Sequence, residues 1–435
     1  MHFLPKALCL SMVAATSICA HAVDLVTAYE QALNYDSSLA ASQSAYLAEQ
    51  ETVTQARAAL LPQINLSAQT GYKDSTYAPD DGYTATSYGL SLTQPLFRAQ
   101  NWFGFEASKY LSQSAEAEFA KAQQTLILDT ATAYFSILRA KENLATTNAA
   151  EAAFKRQWEQ AKERFDVGLI AITEVHEARA SYDAATTSRI QAEGALNIAY
   201  EGLARLTGQV YEQLNALNAE FPINPPTPMV VEDWVNTAFA QNWSIKSAEF
   251  GVKAAEENVS QQKTGHYPTL DLTASYSHTS LDNKNPVDLS GEDSSIALVF
   301  NMPLYQGGGT EASYRKSKYQ LDQARYSLES VKRTVQLNTR SLFTKLKTDI
   351  DTVASQKQNI VSRESALEAT RAGYSVGTRN IVEVLDAERA YYVALRDYAN
   401  ARIDYVIDTL QIKQAAGTLS PEDLASLNRW LTASQ

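Results

Sequence analysis

Between residues 62 and 97 apolar and polar side chains alternate along the chain. Ile64, Leu66, Ala68 and Tyr72 share one face, and Asn65, Ser67, Gln69 and Lys73 share the other. Tyr88, Leu90 and Leu92 then stand against Gly89, Ser91 and Thr93. A period of two marks strands with one apolar and one polar surface. The alternation returns between 268 and 305, where Leu270, Leu272, Ala274 and Tyr276 oppose Asp271, Thr273, Ser275 and Ser277, followed by Ile296, Leu298 and Phe300. Each strand pair encloses a stretch crowded with Asp, Asn, Pro, Gly and Ser, DSTYAPDDGYTAT in one case and LDNKNPVDLSGEDS in the other. Both pairs therefore read as hairpins with hydrophilic tips.

The pattern changes after each hairpin. From about 99 to 165 and from about 310 to 373 there is no proline, and apolar positions recur as a seam. Leu321, Leu328, Val335 and Leu342 follow every seven residues; the seam then shifts by four and continues as Leu346, Val353, Ile360 and Leu367. A heptad seam needs a neighbouring helix, and the phase shift predicts that the neighbour changes partway along. Some 65 helical residues would extend about 100 Å, beyond any ordinary globular domain. The rods end at Val167-Gly168-Leu169 and Val376-Gly377-Thr378. They run back as 172–207 and 380–416, closed by Gly208 and Gly417.

The chain is thus written twice. RFDVGLIAITEVHEARASYD (164–183) returns as GYSVGTRNIVEVLDAERAYY (373–392), and LPQINLSA (61–68) as YPTLDLTA (267–274). Residues 23–220 form one repeat of helix, hairpin, long helix, turn and helix, and 230–420 form the second. FPINPPTPM (221–229) joins them as an extended linker, and 421–435 is a C-terminal segment. A period of about 200 residues is far longer than a solenoid unit of ~20–50.

Composition narrows the setting. Residues 1–22 read as an export signal, with Lys6, an apolar run from Ala7 to Ile18, and Ala20-His21-Ala22 as the cleavage site. Both cysteines, Cys9 and Cys19, lie in that segment, so the exported chain is expected to be held by burial or assembly instead of disulfides. No later run of 18 apolar residues offers a membrane-spanning helix. A net charge of −12 and a pI near 5.1 argue against a nucleic-acid partner.

Four amphipathic strands cannot line a membrane pore alone. Open edges are forbidden in hydrocarbon, and closed barrels need ~8 strands or more. Several copies must therefore pool their hairpins. Three copies would give twelve strands; dimers or tetramers would also close. A competing reading is a soluble sandwich on a coiled coil, that is, a periplasmic structural or adaptor protein without a pore.

At this point the residues match a family. LLPQINLSA, QQTLILDTATAYF (123–135), RFDVGLIAITEV, GHYPTLDLTAS, PLYQGG and AGYSVGTRNIVEVLDA occur in order over essentially the whole exported length. In these the chain resembles the TolC family of outer-membrane efflux and type I secretion channels. The resemblance implies an α+β membrane protein: a homotrimer with a twelve-stranded barrel among outer-membrane lipid, continued by a periplasmic α-helical tunnel. Its partners would be a periplasmic adaptor (membrane fusion protein) and an inner-membrane RND or ABC transporter, and its inner end would open by untwisting of helices.

Residue by residue, the resemblance implies adaptor docking at Val167, Gly168, Leu169, Val376, Gly377 and Thr378. Glu383 and Asp386, three apart on one helix face, would form acidic rings at the entrance that favour cations. Glu174 and Glu177 are their first-repeat equivalents. An entrance latch carries over as Arg379, Tyr374, Thr173 and Glu174, with Arg379 bonding to the first-repeat acid and hydroxyl; Gln157 and Glu329 match a second, higher link. No catalytic constellation, cofactor site or metal site is read from the sequence. His176, His266 and His278 are scattered singly, and GGG (307–309) lacks the lysine of a phosphate loop.

Overall fold

The computed structural model describes residues 23–74, 82–282 and 290–432. The expected export segment and the two hairpin tips lie outside these residues. The first repeat runs α1 (Leu25–Tyr35), α2 (Ser37–Ala58), β1 (Gln63–Lys73), β2 (Tyr83–Phe97), α3 (Ala99–Asp166), α4 (Ile172–Thr207) and β3 (Ala216–Leu217). The second runs α5 (Val231–Gln241), α6 (Trp243–Lys263), β4 (Thr269–Asp282), β5 (Gly291–Asn301), α7 (Gly309–Ser375) and α8 (Ile381–Ala416). Helix α9 (Pro421–Asn428) and strand β6 (Leu431–Thr432) follow.

Each repeat opens on two helices where the sequence reading expects one. Asp36 and Asn242 leave helical geometry, with ψ of 116° and 125°, and cap the next helix. Asp36 Oδ1 accepts from the Leu39 N–H at 2.7 Å, and Asn242 Oδ1 accepts from Ser244 and Ile245. Short polar side chains that satisfy the first free N–H groups of a helix make such breaks stable.

The four long strands form one antiparallel sheet in the order β1-β2-β4-β5, so the two hairpins join through β2 and β4. Register carries the alternation across all four. Ile64, Leu92, Ala274 and Ile296 make one apolar row, and Asn65, Ser91, Ser275 and Ser295 make the polar row behind it. At the base of the sheet Arg98 grips Asp271 with two parallel bonds of 2.8 and 2.7 Å, tying the exit of β2 to the start of β4. β1 and β5 remain as open edges.

Below the sheet α3 and α7, of 68 and 67 residues, run as continuous rods. α3 packs on α2, α4, α6 and α8, and α7 packs on α5, α6 and α8. α4 ends where α2 begins, since Gly208 lies against Tyr35, and α8 ends against Gln241 and Asn242, where α6 begins. One copy is therefore a wall of four columns: α2 over α4, α3, α6 over α8, and α7. The phase shift in the α7 seam coincides with this change of neighbour. Val335 packs in a cluster with Ala238 and Ile245, whereas Leu346 and Val353 join the large core with Val406 and Leu410. Arg340 bonds Glu232 of α5, and Lys345, five residues on, bonds Asp408 of α8.

The large core girdles the midpoint of the rods around Tyr134, Phe135 and Ile137, all fully buried. The chain ends are fastened here. The Tyr134 hydroxyl donates to the Val23 and Asn215 carbonyls at 3.2 and 2.8 Å, β3 pairs with β6, and Asn428 of α9 bonds both Leu25 and Asp24. Among the described residues no helix is long and apolar enough to cross a membrane.

Candidate functional site

The ends of the rods remote from the sheet carry most of the residues that the sequence singles out. α3 and α7 both end in the same hydrogen-bonded turn. The Gly168 N–H reaches the Phe165 carbonyl and the Leu169 N–H reaches Arg164, each at 2.8 Å; the Gly377 and Thr378 N–H groups reach Tyr374 and Gly373 at 3.1 and 2.9 Å. This geometry requires a left-handed residue, and Gly168 and Gly377 have φ of 78° and 80°. Val167, Leu169 and Val376 are 70%, 72% and 73% exposed. Apolar side chains left in water at the tip of a rod suit contact with another surface.

Behind the turns Phe154, Ala161, Ala178, Ile381 and Leu385 make a small separate core that holds the two hairpins together. Tyr374 bridges them. Its hydroxyl donates to Glu174 Oε2 at 3.1 Å, and Arg164 lies over its ring at 5.0 Å. Burial pushes the Tyr374 hydroxyl above its ordinary range, so it remains a donor at any physiological pH.

Arg379 does not make the bond expected of it. From the turn before α8 it pairs with Glu383 in the first turn of that helix, not with Thr173 or Glu174. Asn380 caps α8 by accepting from the Glu383 N–H at 2.9 Å, and the Glu383 side chain bonds back to the Asn380 N–H. The capping box holds that carboxylate four residues from Arg379, within reach of its guanidinium. The hydrogen bond from Arg379, helped by the Asn380 N–H, lowers the Glu383 pKa. Asp386 pairs with Arg389 at 3.1 Å. Thr173, His176 and Glu177 are exposed on the first turns of α4.

Gln157 and Glu329 are not brought together. Gln157 stands nine residues before the end of α3 and Glu329 stands 46 before the end of α7. At ~1.5 Å per residue they differ in height by about 55 Å. Glu329 instead bonds Arg333 at 2.8 Å, and Gln157 lines a cavity of about 550 Å³ between α3, α7 and α8 with Arg156, Arg164, Arg371 and Tyr374.

One tie here escapes sequence reasoning. Glu388 is fully buried and receives the Arg371 guanidinium at 2.7 Å, locking α7 to α8 just above the turn. The two lie on different helices with no fixed spacing, so no local pattern announces the pair. Among the described residues no group of three or more His, Cys, Asp or Glu could hold a metal.

Comparison with known proteins fits this architecture. The family model described as outer membrane efflux protein matches residues 28–209 and 234–418, one match in each repeat. Over 413 residues the chain is 37% identical to outer membrane protein TolC of Vibrio cholerae serotype O1, covering 94% of each chain. Over 444 residues it is 38% identical to outer membrane protein TolC of Escherichia coli strain K12, covering 99% of this chain and 89% of that one. The crystal structure of CusC superposes with a TM-score of 0.81 at 18% identity, over 91% of this chain and 92% of that chain, and so shares the fold. With both repeats matched and identity sustained along nearly its full length, this chain belongs to the outer membrane efflux protein family.

Proposed function

We propose that three copies of this chain form one exit duct through the outer membrane. The duct passes drugs, toxic small molecules or secreted polypeptides delivered from the periplasmic side. The observation that carries this reading is the sheet: four registered strands, apolar on one face and polar on the other, with both edges open. Strands of 11 to 15 residues meet or exceed the ~9–11 that a tilted crossing needs. Hydrocarbon forbids the open edges, so β5 of one copy pairs with β1 of the next and the ring closes around a polar lumen.

The helical wall supports the same arrangement. Its free edges are α7 on one side and the α2/α4 column on the other. α7 carries twelve Lys and Arg against seven Asp and Glu, and α2 and α4 together carry four against seven, so the edges attract. Tyr319 and Tyr326 on α7, and Ile198 on α4, are 72%, 77% and 74% exposed in a single copy, and they are covered in the ring.

At the inner end the two glycine turns receive the tips of a periplasmic adaptor, which links the duct to an inner-membrane RND or ABC transporter. The duct itself is passive. Three copies of Glu383 and Asp386 ring the entrance and favour cations. Untwisting of the α7/α8 hairpin opens it, resisted by the bond from Tyr374 to Glu174 of the other hairpin. Planar bilayers test this reading: purified protein should run as an SDS-resistant trimer and form cation-selective pores, and E383Q/D386N should reduce the selectivity. A detergent-independent monomer without conductance would overturn it.

A further inference from the structure

About midway along α7, charge enters the wall from three helices. α8 presents Asn400, Asp404 and Asp408 at four-residue spacing, α3 presents Arg139 and Asn143, and α7 presents Lys345 and Asp349. Arg139 pairs with Asp404, and Lys345 donates to Asp408 Oδ1 at 2.9 Å. That leaves three carboxylates against two cations in one layer. Asp408 is 1% exposed, and its Oδ2 and the Oδ2 of Asp349 are both buried without any protein donor.

Two ionised carboxylates can only accept, so this arrangement sets two buried acceptor oxygens at the α7/α8 contact with no protein donor for either. A proton on Asp349 supplies the missing donor and cancels the surplus negative charge. We propose that Asp349 and Asp408 form a proton-binding site that clamps α7 to α8 when occupied and loosens them when empty. Occupied, Asp349 donates to Asp408 across the two helices while Lys345 holds the other oxygen. Empty, the two anions repel in a layer whose cations are already engaged. The site goes beyond the export reading and does not depend on it. It stands 26 residues above the end of α7, about 39 Å from the turn.

Burial, reinforced by Asp408 and Asp404 and opposed by Lys345, pushes Asp349 up to about 7. The sign follows. The unfolded acid loses its proton near its model value of 3.8 while the folded one keeps it, so folded-state stability falls as pH rises from about 4 to about 7 and then levels off. Full-length assembled protein in detergent, wild type and D349N, should be heated to dissociation between pH 5 and 8.5. The wild-type unfolding constant, divided by that of D349N, should rise up to ~tenfold per pH unit per subunit until about pH 7 and then stay flat. Identical pH profiles for the two proteins would overturn the site, since a water-bridged pair of anions behaves that way. Difference infrared spectra of the wild type serve if D349N fails to assemble. A protonated-carboxyl band present at pH 6 and gone at pH 9 supports the proposal, and its absence at both overturns it. Conductance enters neither measurement, so failure of the channel reading would register separately.

Discussion

Tyr374 and Arg379 show how single side chains acquire their roles. Tyr374 reaches from one repeat to the other, whereas Arg379, in the turn before α8, bonds Glu383 of the same hairpin. A hydrogen bond to a carboxylate contributes about 1.5–3 kcal/mol when buried. This one is partly solvated, so about 1 kcal/mol per copy is the better figure. In the proposed three-copy duct this would hold back opening by roughly 3 kcal/mol, on the order of a hundredfold in the equilibrium. Tyr374→Phe should raise single-channel conductance in planar bilayers, and adding Arg379→Ser should raise it no further, because the bond from Arg379 to Glu383 stays within one hairpin. Unchanged conductance in Tyr374→Phe would remove Tyr374 from the latch. The same double variant frees Glu383, whose pKa should return upward, so the entrance should lose its cation preference at a higher pH than wild type.

Glycines at the ends of α4 and α8 let helices stack into columns. Gly417 has a φ of 78°, and a Cβ there would stand 2.5 Å from the Gln241 carbonyl oxygen, a backbone atom that cannot swing away. Gly417→Ala should therefore cost more than the ~1 kcal/mol of an unfavourable left-handed residue alone, on the order of 2–3 kcal/mol. Thermal dissociation of the assembled protein measures this. Gly377, at φ 80° with nothing near its absent side chain, pays only the backbone term, so Gly377→Ala should lower the midpoint less. Equal shifts would show that α8 does not abut α5 and α6 as described.

Assembly decides what the molecule as a whole can do. A single copy leaves the outer edges of β1 and β5 unpaired and every residue of both strands exposed. Proline lacks the N–H that a ladder needs and is tolerated in sheets mainly at unpaired edges. Proline placed in β5 at a position whose N–H points away from β4 is therefore harmless to the isolated copy and disruptive to a ring. Ala297→Pro and Ile296→Pro bracket the two alternating orientations. One of the pair should keep the helical content while abolishing the SDS-resistant oligomer and outer-membrane insertion. Oligomers persisting in both would contradict closure through β1 and β5.

Periodic features are legible in the sequence itself. The alternation of Ile64, Leu66 and Ala68, the seam from Leu321 to Leu367, and the two glycine turns are properties of one chain segment at a time. Backbone geometry converts them directly into strand, rod and turn. Their duplication then announced two hairpins on two rods. The breaks at Asp36 and Asn242 carried a weaker signal, a capping side chain before a helical run, and the two-residue pairing of β3 with β6 carried none. Choice of partner belongs to the tertiary structure, because a helix offers each side chain several neighbours. Only the packed wall seats Glu388 on Arg371, turns Arg379 toward Glu383, separates Gln157 from Glu329 by tens of ångströms and sinks Asp408 beside Asp349. Charge and periodicity are written along the chain, whereas the depth at which a charge is buried depends on which helices close over it.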